Sequence, residues 1–197
     1  MPVDNMKRHF IVISDTLFRH ACAIVVVVLS LIIGSADVTA QVETSEYQIK
    51  AAFLYKFAAY VEWPAGSFSD GASPLVFGVI GADPLADNLE QIVRDRRIQG
   101  RAILVRRLNA DEPVTGLHVL FVGQSSSNMA EPLLFYAASM SVLTVTETAS
   151  PRSSGSVINF EVIDDKVRFD VSLTLAQQGK LKISSRLLQV AYKVING

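Results

Sequence analysis

The side chains from which catalytic centres are usually built are scarce in this sequence. His118 is the only histidine after residue 40, and the only cysteine, Cys22, lies before residue 40. A Ser-His-Asp triad would have to use His118, and a zinc site would have one imidazole and no thiolate. Because His118 stands between Leu117 and Val119 in a run of strand-forming residues, we expect it to be structural. We therefore predict no catalytic residue and no metal ligand.

Two stretches resemble catalytic or nucleotide-binding motifs without completing them. The stretch "GQSSS" (123–127) lies between a predicted strand and a predicted helix, as a nucleophile elbow does, but it lacks the second glycine of G-x-S-x-G. The stretch "VIGADPL" (79–85) has one glycine after a strand, whereas a dinucleotide fingerprint has three. No pair of carboxylates stands out as the acid and base of a glycosidase. We interpret both stretches as turns and helix starts, and no cofactor is indicated.

Both stretches nevertheless lie where open α/β sheets bind ligands, outside the carboxyl ends of strands. A small-molecule site would need a roomy pocket near Gly81–Asp83 or Gly123–Ser125. An anion could rest on the amides near Asp83, although that carboxylate would repel it. Beside a protein-binding function, the sequence therefore leaves open a small-molecule-binding module and, less favoured, a hydrolase that uses His118 or a carboxylate pair.

A cluster of arginines offers a different chemistry, that of recognition. Six of them lie within a short region: Arg94, Arg96, Arg97, Arg101, Arg106 and Arg107. Guanidinium groups suit carboxylates, phosphates and protein interfaces. One interpretation is a solvated helix end and a strand edge that charge protects from aggregation. The other is a docking site for an acidic partner surface, for which we select Arg96, Arg97 and Arg101.

The stretch "EYQIKAAFLYKFAAYVEWP" (46–64) predicts a helix that is apolar almost all the way round. We expect the side with the large residues to face the sheet: Ile49, Phe53, Phe57 and Tyr60. The other side carries small residues that would let another surface approach: Ala51, Ala52, Tyr55 and Ala59. From this side we predict Tyr55, Ala59 and Trp63 as partner-binding residues. The alternative is that the domain covers both sides of the helix itself.

The first 40 residues have the order of a secretory signal peptide. Basic residues precede the apolar run Ala21–Ile33, and a small, polar exit follows it. The run has about 13 residues, whereas a membrane-spanning helix needs roughly 20. We predict cleavage between Ala40 and Gln41, which leaves one domain over 41–197 in the periplasm; an uncleaved anchor is the alternative. Met6 is an alternative start.

Charge and cysteine usage limit the partners and the chemistry of the predicted mature chain. The first 40 residues contain three basic and three acidic residues, so the formal net charge of −1 does not change on cleavage. Nothing in that balance points to nucleic acid. Cys22 leaves with the signal peptide, so the mature fold can contain no disulfide and depends on packing.

The remaining chain alternates between strand and helix patterns, which predicts an α/β fold with a mainly parallel central sheet flanked by helices. Strands fit "PLVFGVIG", "RAILVRRL", "LHVLFVG" and "SVLTVTE", and helices fit "ADPLADNLEQIVRDR", which Asp83 is expected to cap, and "SNMAEPLLFYAAS". The stretch "GSVINFEVIDDKVRFDVSL" predicts an antiparallel hairpin that turns at Asp164-Asp165 and closes one edge of the sheet. A terminal helix fits "ISSRLLQVAYKV", capped by Ser184 or Ser185.

Four motifs, in this order, resemble the YfiR family of periplasmic repressors: "YQIKAAFLYKFAAYVEWP", "VLTVTE", "GSVINFEVIDDKVRFDVSL" and "LKISSRLLQVAYKV". The resemblance covers nearly all of 41–197 and implies a compact α/β domain. It implies a non-enzymatic regulator that binds the periplasmic part of an inner-membrane diguanylate cyclase, or of a related sensor protein, and thereby affects cyclic-di-GMP signalling and biofilm behaviour. It further implies an outer-membrane OmpA-like lipoprotein as a second partner, and we expect a homodimer.

The chain departs from that family in two places. Relatives commonly carry disulfide-forming cysteine pairs, which are absent here, so redox sensing is not implied. The loop before the hairpin has Ser154-Gly155-Ser156 where relatives tend to have a glycine pair and more apolar residues. Because loops carry partner specificity, the partner can differ from that of relatives.

Overall fold

A computed structural model describes residues 36–148 and 155–196, with side chains from residue 46 onward except 127–130. Contacts divide the chain into two units, Met1–Thr44 and Ser45–Gly197. The predicted signal peptide covers residues 1–40. Residues 1–35 lie outside the described residues, and only the backbone of 36–40 is described. No helix within the described ranges is long and apolar enough to cross a bilayer.

The first helix, α1, spans Ala36–Ala59, so it both begins and ends earlier than the predicted stretch 46–64. The backbone N–H of Tyr60 closes the last turn on the carbonyl of Phe57, at 2.9 Å. Strand β1 (Val61–Glu62) then pairs antiparallel with β9 (Lys182–Ile183). The prediction of a helix through Trp63 was therefore wrong, because the residues after Tyr60 form a strand that pairs with β9.

The next elements form the parallel half of the sheet and its first covering helix. They are β2 (Leu75–Ile80), α2 (Asp83–Val93), β3 (Arg97–Ile98), β4 (Arg101–Leu108) and β5 (Val119–Val122). Helix α2 begins at Asp83 with Pro84 in its first turn, and its cap residue is Ala82 rather than the predicted Asp83. Its apolar face buries Leu85, Ala86, Leu89 and Val93. The two-residue strand β3 was not predicted, because its apolar pattern is too short to detect.

The second half contains the predicted hairpin and a terminal helix that is shorter than predicted, because Ile183 lies in strand β9 and Lys193 and Val194 lie in the last strand. Its elements are a 3-10 helix (Gln124–Met129), α3 (Ala130–Ser139), β6 (Leu143–Thr146), β7 (Ile158–Ile163), β8 (Lys166–Ser172), α4 (Leu173–Gln178), β9, α5 (Ser185–Val190) and β10 (Lys193–Ile195). The hairpin turns at Asp164 and Asp165, whose φ angles of 50° and 57° fit a primed turn. Ser184 caps α5 by accepting a hydrogen bond from the N–H of Arg186.

The large sheet has the order β10-β8-β7-β6-β5-β2-β4-β3. All its neighbouring strands are parallel except the β7–β8 and β3–β4 pairs, so the predicted α/β fold with a mainly parallel sheet is confirmed. The hairpin does not form the edge of the sheet as expected, because β10 pairs in parallel outside β8.

Two apolar cores hold the helices to the sheet. In the larger core, α1 inserts Phe57, whose ring centroid lies 4.7 Å from that of Phe169 and 5.5 Å from that of Phe160. Helices α2, α4 and α5 contribute to the same core. On the second core, Leu134 and Ala137 of α3 pack against β5. Truncating one fully buried phenylalanine in such a core typically costs about 3–5 kcal/mol.

Candidate partner-binding site

The side of α1 that faces the sheet coincides only in part with the side that carries the large residues: Phe57 is buried and Phe53 packs against Phe160 and Phe169, as expected. The side chains of Ala51, Leu54, Phe57 and Ala58 are fully buried, whereas Ile49 is 44% exposed. The expectations that Ile49 faces the sheet and that Ala51 faces outward were therefore wrong. The physical reason is close approach: small side chains at Ala51 and Ala58 let the helix backbone lie near the core. Side-chain size alone does not reveal this.

The outward part of α1 contains two of the predicted partner-binding residues. Ala59 is exposed, and Tyr55 is half-buried with one side against the core. The guanidinium carbon of Arg96 lies 5.4 Å from the centroid of the Tyr55 ring, a cation–π distance. Arg96 and Arg97 are both exposed, and Arg97 donates through Nη1 to the carbonyl of Gly100 at 3.0 Å. The fold thus brings Tyr55 and Arg96 together.

Trp63 and Arg101 line a different groove of about 480 Å³, with Phe68 among its other lining residues. The indole Nε1–H of Trp63 donates to the carbonyl of His118 at 3.2 Å. The guanidinium of Arg101 lies 3.8 Å from the centroid of Phe68 and donates to the carbonyls of Asp70 and Ser73, at 2.8 and 2.7 Å. Both side chains therefore help to hold the loop between β1 and β2.

Arg107, which belongs to the arginine cluster, is bound to helix α2. Its guanidinium pairs with Asp83, Asp87 and Glu90, which lie on one helix face; the contact to Glu90 Oε1 measures 2.5 Å. The hydrogen bond that Arg107 donates to the carboxylate of Glu90 raises the pKa of Arg107 above its ordinary value. Because these side chains are partly exposed, solvent screens the pairs and each contributes little to stability. The arginine cluster thus divides into members that hold the fold and members that face solvent.

His118 is a structural residue, as the sequence indicated. It is buried immediately before β5, where its Nδ1 accepts a hydrogen bond from the N–H of Val76 at 3.1 Å. Its Nε2 donates to the carbonyl of Ser67 at 3.0 Å, and its ring stacks on Phe68 at 4.2 Å. Burial lowers the pKa of His118, with the charge of Arg101 as a further cause. An imidazole with both nitrogens engaged in this way is not placed for proton transfer to a substrate.

The first position that the sequence left open for a ligand, near Gly81, is occupied by the protein's own serines. Ser125 Oγ donates to the carbonyl of Gly81 at 3.0 Å. A Cβ built on Gly81, whose φ is +66°, would lie 2.4 Å from Ser126 Oγ. The serines of "GQSSS" therefore support a tight turn, and glycine is required because a side chain at Gly81 would clash.

The second position that the sequence left open for a ligand, near Gln124, borders a buried ionic cluster that was not predicted. Lys50 and Glu147 are buried, and Nζ of Lys50 lies 2.5 Å from Oε2 of Glu147. Lys50 also forms an ion pair with Glu46. Glu147 Oε1 accepts hydrogen bonds from the hydroxyl of Tyr47 at 3.2 Å and from the N–H of Gln124 at 3.0 Å. A groove of about 360 Å³ adjoins the cluster. The i,i+4 spacing of Glu46 and Lys50 was the available signal.

No metal centre is formed by the residues that the structure describes, since no three histidine, cysteine or carboxylate side chains converge there. The described residues offer exposed guanidinium groups, a half-buried tyrosine and two grooves. Their chemistry suits carboxylates and apolar side chains of another molecule.

Comparisons with known proteins place this fold in a family. Among solved structures, the chain is similar to a conserved domain protein from Vibrio cholerae O1 biovar El Tor, with 11% sequence identity and a TM-score of 0.43. The similar region covers 61% of this chain and 54% of that chain, so the match spans about half the length of that structure. No curated protein matches the sequence. A family profile described as YfiR/HmsC-like (DUF4154) matches residues 47–192. The chain therefore belongs to the YfiR/HmsC-like family.

Proposed function

We propose that this chain is a non-enzymatic periplasmic regulator that binds the periplasmic part of an inner-membrane signalling protein, a diguanylate cyclase, and modulates cyclic-di-GMP signalling. The observation that carries the proposal is the family match over residues 47–192. That family is regulatory rather than catalytic. The engaged nitrogens of His118 support the same conclusion, because they remove the one imidazole after residue 40 from acid-base chemistry.

The partner surface that we propose combines Tyr55, Ala59, Arg96 and Arg97. An exposed methyl group, a half-buried ring and two guanidinium groups provide the apolar and cationic contacts that protein interfaces favour. Trp63 and Arg101 would contribute to partner binding indirectly, by holding the loop between β1 and β2 in place. An outer-membrane OmpA-like lipoprotein that sequesters the regulator, and a homodimer, belong to the same proposal. Export through the signal peptide 1–40 would place the chain beside these partners.

A periplasmic small-molecule-binding module is the second candidate, and one observation favours it. The groove of about 360 Å³ beside Lys50 and Glu147 lies at the carboxyl ends of parallel strands, where α/β sheets bind ligands. A ligand in this groove would alter the surroundings of α1, which carries Tyr55. Ligand binding and partner regulation are therefore compatible.

The test is a direct assay of regulation. Residues 41–197 are added to membrane vesicles that contain the inner-membrane diguanylate cyclase captured on the same protein, and cyclic-di-GMP synthesis is measured. We expect a concentration-dependent change in the rate, which Tyr55→Glu reduces and the control Val190→Glu, at an exposed residue of α5, leaves intact. An unchanged rate at saturating protein, with binding shown by sedimentation, would contradict regulation of that enzyme.

A further inference from the structure

Strand β4 has an outer edge that is only partly paired. It runs over Arg101–Leu108 and pairs along its inner side with β2, from Ile103 to Leu108. On its outer side, β3 pairs only with Arg101 and Ala102. Within the part of the chain that the structure describes, no other strand lies beyond it. From Ile103 onward, the outer edge of β4 therefore has no described strand paired to it.

The hairpin between β3 and β4 determines which backbone groups of β4 point toward this unpaired edge. Gln99 and Gly100, with φ angles of 52° and 80°, form a two-residue primed turn between Ile98 and Arg101. The N–H and C=O of Arg101 therefore point toward β3. Because backbone direction alternates along a strand, the same groups of Ile103, Val105 and Arg107 point outward as well. An added strand would find three donors and three acceptors in line.

A groove of about 520 Å³ lies along this edge. The wall formed by β4 is apolar, and the opposite wall is mostly cationic. Leu104 is 51% exposed there, and Ile103 and Val105 are half-buried. The opposite wall is the segment 94–97, with Arg94, Arg96 and Arg97. The acidic groups that line the groove are Asp95 and Glu90, and Glu90 is paired with Arg107. The net charge of the groove is therefore positive.

We propose that this edge accepts an extended, acidic segment of a partner protein as an additional strand. Main-chain hydrogen bonds would give affinity, and the arginines would select carboxylates over amines. A second copy of the chain fits poorly: antiparallel pairing centred on Leu104 would bring Arg106 and Arg107 of each copy toward Arg97 of the other. Like charges at such distances are unfavourable. The inference rests on the proposed function only for the cellular identity of the partner.

Proline and alanine at position 105 separate backbone pairing from side-chain contact. Val105→Pro removes an outward N–H that β2 does not use, and edge strands tolerate proline at such positions. Val105→Ala keeps the N–H and shortens the side chain. The probe is a fluorescent eight-residue peptide of alternating glutamate and valine, and an alternating lysine and valine peptide is its charge control. Binding is measured by fluorescence anisotropy, with melting curves for both variants.

We expect the acidic peptide to bind, the lysine peptide to bind at least tenfold more weakly, and Val105→Pro to weaken binding at least tenfold while Val105→Ala does so less than threefold. Amide exchange should slow at Ile103, Val105 and Arg107 when the peptide binds. Equal binding by the proline and alanine variants, equal binding of both peptides, or unchanged exchange at these amides would overturn strand addition. So would a dimer that Val105→Pro dissociates, since the edge would then be a self-interface.

The vesicle assay of cyclic-di-GMP synthesis keeps this inference separate from the proposed function. If the chain leaves cyclic-di-GMP synthesis unchanged while the peptide results hold, the proposed function fails and the strand-addition site stands. If the chain regulates synthesis but Val105→Pro binds the acidic peptide as wild type does, the strand-addition site fails alone.

Discussion

Val76 donates its backbone N–H to Nδ1 of His118 at 3.1 Å, which fixes the imidazole as the tautomer with its proton on Nε2. Protonating Nδ1 would set two donors against each other in a buried place. Burial lowers the pKa of His118 below its ordinary value of 6.5, and the charge of Arg101 acts in the same direction. The neutral form is therefore the form that the fold prefers.

The first prediction concerns pH. The unfolded chain takes up a proton near pH 6.5 and the folded chain only at lower pH, so the free energy of unfolding should fall as pH decreases from about 6.5 toward the lowered pKa. Denaturant titrations at pH 7.5 and pH 5 measure this loss. In His118→Gln, which lacks the titration, the loss should be smaller. An equal loss in both proteins would assign the acid sensitivity to other groups.

Asp170 provides a prediction of the opposite sign. Both of its carboxylate oxygens are buried, and neither makes a well-formed hydrogen bond with a described residue. Burial raises the pKa of Asp170, although nearby Lys193 lowers it in part. A raised folded pKa means that stability is lost as pH rises above about 3.8, the ordinary value of this group.

We therefore expect Asp170→Asn to raise the melting temperature at pH 7 relative to wild type. The amide has nearly the same shape as the carboxylate but carries no charge that must be buried. The gain should shrink as pH approaches 4. Differential scanning calorimetry at both pH values checks it. A lower melting temperature at pH 7 would show that the ionised carboxylate is stabilised, with Lys193 as its partner.

The order of the longer strands was predictable because each has a local signal. The Asp164-Asp165 turn, the proline at the start of α2 and the serine cap of α5 are chemical markers that lie within a few residues of the elements they define. The short strands β1, β3, β9 and β10 have two or three residues, too few for a periodic pattern to appear. The existence of β1 and β9 also depends on a partner far along the chain, since Val61 pairs with Ile183.

The candidate site was predictable only in part, for a related reason. Composition revealed the arginine cluster, but sequence spacing could not show that Arg107 pairs with α2 whereas Arg96 meets Tyr55. The buried pairing of Lys50 with Glu147 joins residues 97 positions apart, so no local pattern announces it. Long-range pairing is what the fold adds to the residues.

A third prediction separates two phenylalanines of α1. Phe57 is fully buried between Phe160 and Phe169, whereas Phe53 is only half-buried. Phe57→Ala should lower the free energy of unfolding by about 3–5 kcal/mol, and Phe53→Ala by less. Urea titration measures both. A larger cost at Phe53 would mean that the helix presents its other side to the core.

A fourth prediction tests export. Val38→Arg combined with Ala40→Arg should block cleavage by signal peptidase, because that enzyme requires small residues before the cut. Wild type should appear in the periplasmic fraction with Gln41 as its first residue, and the double variant should stay with the inner membrane. Mass spectrometry of both fractions measures this. Full-length wild type held at the membrane would instead identify the apolar run as an anchor.

The last prediction concerns the outward side of α1. Tyr55 is half-buried, with its ring beside the guanidinium of Arg96, so a glutamate there can pair with that arginine while the monomer remains folded. At an interface the same carboxylate would lose its water and oppose an acidic partner, which is costly. We expect Tyr55→Glu to reduce partner binding at least tenfold and to change the melting temperature little. Ala59→Glu, at an exposed position one turn further along, should act in the same direction. Unfolding of both variants would instead show that this side of the helix belongs to the core, and binding at wild-type affinity by both folded variants would place the partner elsewhere.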